Sequence, residues 1–286
     1  MKLLIMPSSI KQVNEISDNI DGVIVGLGKL CINMPVNFTK EEIFEIIDIC
    51  NKNSKEVFIS LNKNMFNSDL EYLKEILLEL DKKEINGILY YDIAIVNMKE
   101  ELKLKTDLVW NQEHLTTNYL TSNYWYDFGA KYTYLSSEIT IDEINEISEK
   151  ASAKLMVTLF GYLPMFVSRR HLVKNYLDTF NLTDDSKINI LEKEGNKYQI
   201  IDTEDGTVAY SSHILNGITE VFNTKVDYMV LNSFSIDDDK FKEVVYMFKT
   251  VTTDNVNDYK EKIDSMFKTS LGFLYKETIY KVKRND

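Results

Sequence analysis

The chain has 286 residues, 44% hydrophobic and 27% charged, enough to bury a substantial core within one α/β barrel. Its formal charge of −12 argues against broad, nonspecific binding to nucleic acid or anionic membranes, since neutralising phosphates needs clustered Lys and Arg, and leaves room for one local basic pocket. Two cysteines, Cys31 and Cys50, without CxxC spacing cannot make a disulfide framework, and they argue against a tetrathiolate zinc site or a self-contained iron–sulfur cluster; both read as buried structural thiols.

At the N-terminus, the apolar run in Met1–Ser8 is far shorter than a signal h-region or a membrane span, so a cytoplasmic protein without membrane partners is expected. Short β-type apolar runs then alternate with longer amphipathic stretches. Strands are predicted at Leu3–Met6, Gly22–Val25, Val57–Leu61, Gly87–Tyr91, Asp107–Trp110, Tyr132–Leu135, Lys154–Leu159 and Tyr228–Leu231. Between them, apolar residues recurring at three and four positions predict helices at Lys11–Asn19, Lys40–Asn51, Asp69–Lys83, Leu120–Phe128 and Ile141–Lys150. Thr39 and Thr140 each precede an acidic first turn, as an N-cap should. The Lys-rich and Glu-rich stretches read as solvated helix faces.

That order predicts an α/β fold of the TIM type, an eight-stranded (β/α)8 barrel with an irregular stretch late in the chain. About seventy residues separate Leu159 from Tyr228, too many for one crossover. Within them Lys197–Ile201 and Thr207–Tyr210 flank Glu204-Asp205-Gly206, which predicts a β-hairpin, at about residues 190–215, inserted between the seventh and eighth strands. The C-terminal part, residues 235–286, offers helices near Asp237–Thr250 and Asn255–Phe267 and a β-like tail at Gly272–Val282. No repeat, low-complexity tract or linker interrupts the chain, so residues 1–286 read as one domain.

In a parallel barrel, function gathers where the βα loops converge, at the carboxyl ends of the strands. That rule selects Asn62, Asp92, Asn111, Gln112, Ser136, Ser137, Glu138, the segment after the seventh strand, and Asn232. Each alone also reads as a loop cap; together they make a polar pocket. The most unusual segment is Gly161-Tyr162-Leu163-Pro164-Met165-Phe166-Val167-Ser168-Arg169-Arg170-His171. Gly161 and Pro164 predict a turn, the aromatic and Met residues an apolar wall, and the paired arginines a fork suited to carboxylate or phosphate. An equally weighted reading pairs Arg169 and Arg170 with Glu138 or helix carboxylates as a structural network. The isomer of the Leu163–Pro164 bond is left open.

GxSxG, HExxH, P-loop and GxGxxG motifs are absent, so serine hydrolase, zincin, kinase and Rossmann readings lose their usual support. His114, His171 and His213 are too spread to predict a metal site. Gly26-Leu27-Gly28 reads as a strand-to-loop turn.

Three stretches resemble the U32 family, the collagenase-like proteases. They are Gly87-Ile88-Leu89-Tyr90-Tyr91-Asp92; the run from Asn111 through Thr117-Asn118 and Phe128-Gly129-Ala130 to Leu135-Ser136-Ser137-Glu138-Ile139, with Ser137 where Arg is usual; and Gly161-Tyr162-Leu163-Pro164-Met165 with Ser168-Arg169-Arg170 and Asn175-Tyr176. Many members place the first of four cluster-binding cysteines where His171 stands, and this chain has none of the others, so no iron–sulfur cluster and no other cofactor is expected. The last barrel strand ends Leu231-Asn232-Ser233 in place of a basic ending. The chain is similar to the short, cysteine-poor branch, which implies a role in hydroxylating the wobble uridine of tRNA with prephenate as co-substrate. The partners implied are tRNA, a second U32-family subunit and a small carboxylate. On that reading Arg169 and Arg170 grip a carboxylate or phosphate, Asn62, Asn118 and Ser168 help bind substrate, and Asp92 and Glu138 are the catalytic candidates. Two alternatives stand beside it: a noncatalytic small-acid-binding or scaffold protein, its pocket partly filled by Phe166 or Tyr162, and a peptidase, for which Ser168 and His171 are the only hydroxyl and imidazole near each other in the signature.

Overall fold

In the computed structural model, residues 1–112, 115–184 and 186–276 are described. The chain runs β1 (Lys2–Met6), α1 (Ile10–Ile16), β2 (Gly22–Leu27), β3 (Asn37–Phe38), α2 (Lys40–Lys52), β4 (Glu56–Leu61), α3 (Leu70–Leu80), β5 (Gly87–Tyr90), α4 (Ala94–Leu102), β6 (Leu108–Asn111), α5 (Tyr119–Asp127), β7 (Tyr132–Tyr134), α6 (Ile141–Lys150) and β8 (Lys154–Ser168). It continues with α7 (Leu172–Phe180), β9 (Asn189–Lys193), β10 (Asn196–Thr203), β11 (Gly206–Asn216), β12 (Tyr228–Asn232), α8 (Asp238–Thr250), α9 (Val256–Met266) and β13 (Thr269–Ser270). Strands β1, β2, β4, β5, β6, β7, β8 and β12 pair in parallel in that order, and β12 pairs with both β8 and β1, closing an eight-stranded barrel of the TIM type. No helix among the described residues is long and apolar enough to cross a membrane.

Strand alternation sorts the core into two shells. Leu4, Ile24, Phe58, Leu89, Val109, Tyr132, Met156, Tyr228 and Val230 pack inside the barrel. Their strand neighbours Leu3, Ile5, Val57, Ile59, Ile88, Trp110, Val157 and Leu231 pack outward under the helices. Burial on both faces makes these strands near-continuous apolar runs. Each fully buried aliphatic side chain stabilises the fold by about 1.5–3 kcal/mol. Phe58 meets Tyr132 and Tyr228 edge-on, at 5.3 and 5.8 Å between centroids. Toward the carboxyl ends, the period of two brings in Ser60, Asn62, Asn111, Thr158 and Asn232, so the interior turns polar at the mouth.

Both predicted caps close capping boxes: the Thr39 hydroxyl oxygen accepts from the Glu42 amide and the Thr140 oxygen from the Glu143 amide, each at 3.3 Å, while each Glu carboxylate accepts from its cap amide. Helices α4 and α7 are additional to those expected. The first is short, and the second lies inside the long irregular stretch.

The largest correction concerns Gly161–Ser168, expected to turn. It continues β8 as one fifteen-residue strand. The lower part of β8 pairs with β12 from Tyr228↔Met156 to Leu231↔Phe160, closing the barrel. The upper part leaves the rim and pairs antiparallel with β11, from Asn216↔Phe160 to Thr207↔Ser168. Pro164 sits opposite Tyr210 at a register shift, where the ladder tolerates a residue with no N–H, and the Leu163–Pro164 bond is trans. Gly161 is required by contact as well as conformation. Its φ is +123°, and a Cβ there would stand 2.6 Å from the Asn232 carbonyl oxygen.

The expected hairpin is present as β10 and β11 around Glu204-Asp205, and β9 adds a third antiparallel strand. The expected tail strand is corrected in part: Gly272–Tyr275 form a turn, β13 lies just before it, and residues 277–286 lie outside the described residues.

Candidate functional site

A cavity of about 450 Å³ opens at the carboxyl ends of the barrel strands. Asn62 and Lys63 after β4, Tyr91 after β5, Asn111 and Gln112 at the end of β6, and Glu138 after β7 form its floor and one side. Phe66, from the β4–α3 loop, and Met165, Phe166, Arg169 and Asp205, from the insertion, form the other side. The cavity therefore exists only because β8 overshoots the rim and carries β11 and the β10–β11 turn over the mouth.

Lys63 is its most constrained charge. Only 6% exposed, it places Nζ 2.6 Å from Asp205 Oδ1 and 3.6 Å from Asp69 Oδ2. Asp69 Oδ2 also accepts from the Phe66 amide at 2.9 Å, fixing the loop that carries Phe66. Over that ring lies the Arg169 guanidinium, 3.5 Å from the centroid, a cation–π contact that holds the guanidinium flat against the cavity wall. Cys31, buried in the barrel interior, has its thiol pKa pushed up by burial and by the nearby Asp205 carboxylate.

Below this cavity, a void of about 40 Å³ shares Asn62 and Asn111 with it and adds Tyr134, Thr158 and Asn232. Tyr134 Oη and Thr158 Oγ1 are 2.8 Å apart. Asn62 Oδ1 accepts from the Ile32 amide at 3.0 Å and Asn232 Oδ1 from the Phe234 amide at 2.8 Å. Asn111, 5% exposed, makes no side-chain hydrogen bond among the described residues.

The residues expected from sequence divide between cavity and scaffold. Asn62, Asn111, Gln112, Glu138 and Arg169 line the cavity. Asp92 does not: Oδ2 accepts from Met65 N at 2.8 Å and Oδ1 from Ala94 N at 2.9 Å, tying the β4–α3 loop to the start of α4. Asn118 is the exposed N-cap of α5, accepting from Thr121 N at 2.9 Å. Ser168 Oγ accepts from Arg170 N at 3.1 Å. Arg170 is exposed and outside the lining, so the two arginines do not form one fork. Neither arginine pairs with a carboxylate among the described residues. Lys63, Phe66 and Asp205 were not anticipated. The signal available was their position, since Lys63 follows the strand-end Asn62 and Asp205 occupies the predicted hairpin turn.

Ser168 makes no hydrogen bond to His171 among the described residues; His213 Nδ1 lies 2.8 Å from Ser212 Oγ on β11, away from the cavity, and His114 lies outside the described residues. The cavity stays open, with Phe166 48% exposed at its rim and Tyr162 beside the smaller void. No group of three His, Cys, Asp or Glu among the described residues could hold a metal ion. A four-cysteine cluster does not fit the residues present: His171 is exposed before α7, and Cys31 and Cys50 lie in the inner and outer shells of the barrel wall. Among the described lining residues, the cations Lys63 and Arg169 are matched in number by Glu138 and Asp205. Lys63 is engaged by Asp205 and Asp69, whereas Arg169, stacked on Phe66 and without a carboxylate partner among the described residues, leaves its guanidinium available to an anionic group in the cavity.

The model of peptidase family U32 matches residues 9–282. The chain is 26% identical to tRNA hydroxylation protein P2 of Bacillus subtilis, over 98% of this chain and 99% of that protein. It is 22% identical to tRNA hydroxylation protein P1 of the same organism, over 49% of this chain and 33% of that one. With an uncharacterized protease of Methanocaldococcus jannaschii it shares 30% identity over 55% of this chain and 39% of the relative. Among solved structures, that of the U32 peptidase Mk0906 superposes with a TM-score of 0.53 at 11% identity, covering 83% of this chain and 94% of that one, a likeness of fold alone.

Proposed function

We infer that this chain, which belongs to peptidase family U32, is a tRNA hydroxylation component acting on wobble uridine, with prephenate as the co-substrate that donates oxygen. The observation that carries this reading is its end-to-end likeness to a tRNA hydroxylation protein. The cavity is compatible with it. Arg169 supplies a cation for a carboxylate of a small acid, Glu138 is the acid–base candidate, and Asn62 helps bind substrate, while Lys63 holds Asp205 and the insertion over the site. Asp92, Asn118 and Ser168 act by holding the loops of the mouth. Arg170, exposed beside the mouth, is available to an RNA phosphate.

The balanced mouth and the formal charge of −12 leave this chain short of the cations that RNA binding needs. A second U32-family subunit supplies them, and the protein works in the cytoplasm as one of a pair, without a resident cofactor. The same charge balance favours a second reading, a subunit that binds the small acid and leaves RNA contact and chemistry to its partner. Peptidase activity has no support from Ser168, whose hydroxyl oxygen is engaged by a backbone amide.

The test is mass spectrometry of tRNA nucleosides from the source organism with and without the gene, in a background where 5-hydroxyuridine derivatives are present. Their loss, restored by the intact gene and not by an Arg169→Ala copy, supports the reading. An unchanged profile in a strain without a paralogue overturns it.

A further inference from the structure

The small void under the cavity is lined by an unusual density of carboxamides at the end of an otherwise apolar barrel interior. Four line it, Asn33, Asn62, Asn111 and Asn232, and two of them, Asn62 and Asn232, have their orientation fixed by backbone. Because Asn62 Oδ1 accepts from the Ile32 amide and Asn232 Oδ1 from the Phe234 amide, the oxygen and nitrogen of each side chain are assigned, and each has its Nδ2 donor remaining. A third, Asn111, is 95% buried by its 5% exposure, lines both the cavity and the void, and has neither donor nor acceptor satisfied among the described residues. Its carboxamide atoms face the open space of the cavity and the void, where a ligand can pair with both. Asn62 and Asn232 therefore offer two donors, and Asn111 both an acceptor and a donor.

We propose that Asn62, Asn111 and Asn232 read the imide edge of a pyrimidine ring, the acceptor–donor–acceptor face that uracil presents through O2, N3–H and O4. Asn111 Oδ1 accepts from N3–H, and the carboxamide nitrogens donate to the two carbonyl oxygens. Cytosine offers acceptor, acceptor and donor on the same edge and leaves the Asn111 oxygen facing a lone pair. Size agrees with this division. A void of about 40 Å³ has room for only a water or so, so the ring can put only its edge there, while its body stays in the cavity of about 450 Å³. At the rim, Phe166, 48% exposed, provides an aromatic face for a base withdrawn from its stack.

This assignment rests on the tRNA reading for its ligand, and it adds the residues that choose the base. It is tested with the full-length chain and three free nucleosides, uridine, N3-methyluridine and cytidine, at millimolar concentration, by NMR titration or calorimetry. Uridine should bind at least about tenfold more tightly than the other two, because each leaves a buried polar group unpaired. Asn111→Leu, checked for an unchanged melting temperature, should reduce uridine to the level of cytidine. The comparison of nucleosides on the unmodified chain needs no variant to fold. Equal binding of the three, or binding of none, overturns the assignment. Failure of the two ideas is separable. Loss of hydroxyuridine on gene deletion with no nucleoside discrimination leaves the tRNA reading standing and removes the carboxamide reader. Discrimination with an unchanged tRNA profile does the reverse.

Discussion

Lys63 and Asp205 are 142 positions apart in sequence, yet Lys63 Nζ and Asp205 Oδ1 lie 2.6 Å apart, both largely buried. The pair fastens the β10–β11 turn to the end of β4. A second contact, Arg169 on Phe66, joins the same two parts of the fold. The insertion is thus clasped to the barrel at two points, and the cavity lies between them.

Removing one side of the clasp should loosen the insertion more than the barrel. Asp205→Ala leaves Lys63 with Asp69 at 3.6 Å, so a loss of about 1–3 kcal/mol is expected. Lys63→Ala leaves two buried carboxylates facing each other and should cost about 3–5 kcal/mol. Denaturant unfolding gives the totals. Hydrogen exchange should show Asp205→Ala raising exchange in β10 and β11 while β1 to β6 stay protected. Uniform exchange across both regions would refute the clasp.

Arg169 and Arg170 should separate functionally. Only Arg169 lines the cavity, so Arg169→Ala should weaken binding of a small dicarboxylate such as prephenate at least about tenfold, and Arg170→Ala by less than about threefold. Phe66→Leu, which removes the stacking surface and keeps the bulk, should fall between them. Calorimetry decides, and equal losses for the two arginines would restore the single fork suggested by their adjacency.

Much of the barrel was legible because parallel strands buried on both faces leave apolar runs that a single sequence displays. The strand-end rule likewise reached Asn62, Asn111, Gln112, Glu138 and Asn232. What it missed has physical causes. A lysine in a chain rich in lysine reads as solvated, and only the fold brings Asp205 to Lys63. Gly161 and Pro164 carry turn chemistry, but here they serve a strand that exchanges one neighbour for another, Gly161 by allowing the Asn232 backbone close and Pro164 by sitting at a register shift. Asp92 was selected as a polar strand-end residue and Asn118 through the family resemblance, and their oxygens are taken by backbone amides, a distinction no sequence pattern displays.

Gly161 itself offers a sharp test. Gly161→Ala would bring a Cβ to 2.6 Å from the Asn232 carbonyl oxygen at a φ of +123°, and should destabilise the protein by about 2–4 kcal/mol. Gly195, also at positive φ but with nothing near its missing Cβ, is the control, and Gly195→Ala should lose less than half as much. Comparable losses at both sites would mean that conformation alone, and not the approach of β12, sets the requirement.

Both thiols should be silent in the folded protein. Cys31 is fully buried inside the barrel, and burial pushes the Cys50 thiol up to about 12, so neither forms an accessible thiolate near neutral pH. A thiol reagent should label neither until denaturant unfolds the chain, and then both together. Fast labelling of one cysteine under native conditions would show that its shell of the barrel opens locally.

Acid stability should depend on carboxylates far from the cavity. Burial opposes the charge on Asp264, but hydrogen bonds from Lys260 Nζ at 2.6 Å, Thr269 Oγ1 at 2.5 Å and Asn216 Nδ2 at 2.8 Å outweigh it and hold the carboxyl below its ordinary range. Asp21 is lowered in the same way, burial being outweighed by the Leu3 amide and Lys249. A carboxyl whose folded pKa lies below its unfolded value contributes stability that is fully present above the unfolded value and is lost as pH falls through the folded one. Stability should therefore be level, as far as these groups go, from neutral pH to the ordinary carboxylate range near 3.8, then fall as they take up protons. Asp264→Asn should flatten that fall, lowering stability at neutral pH while making little difference at the acid end. Since Asp264 joins α9 to β11 and β13, the loss should appear first in the C-terminal helices. A variant parallel to wild type at every pH would assign the stabilisation to the hydrogen bonds alone, independent of charge.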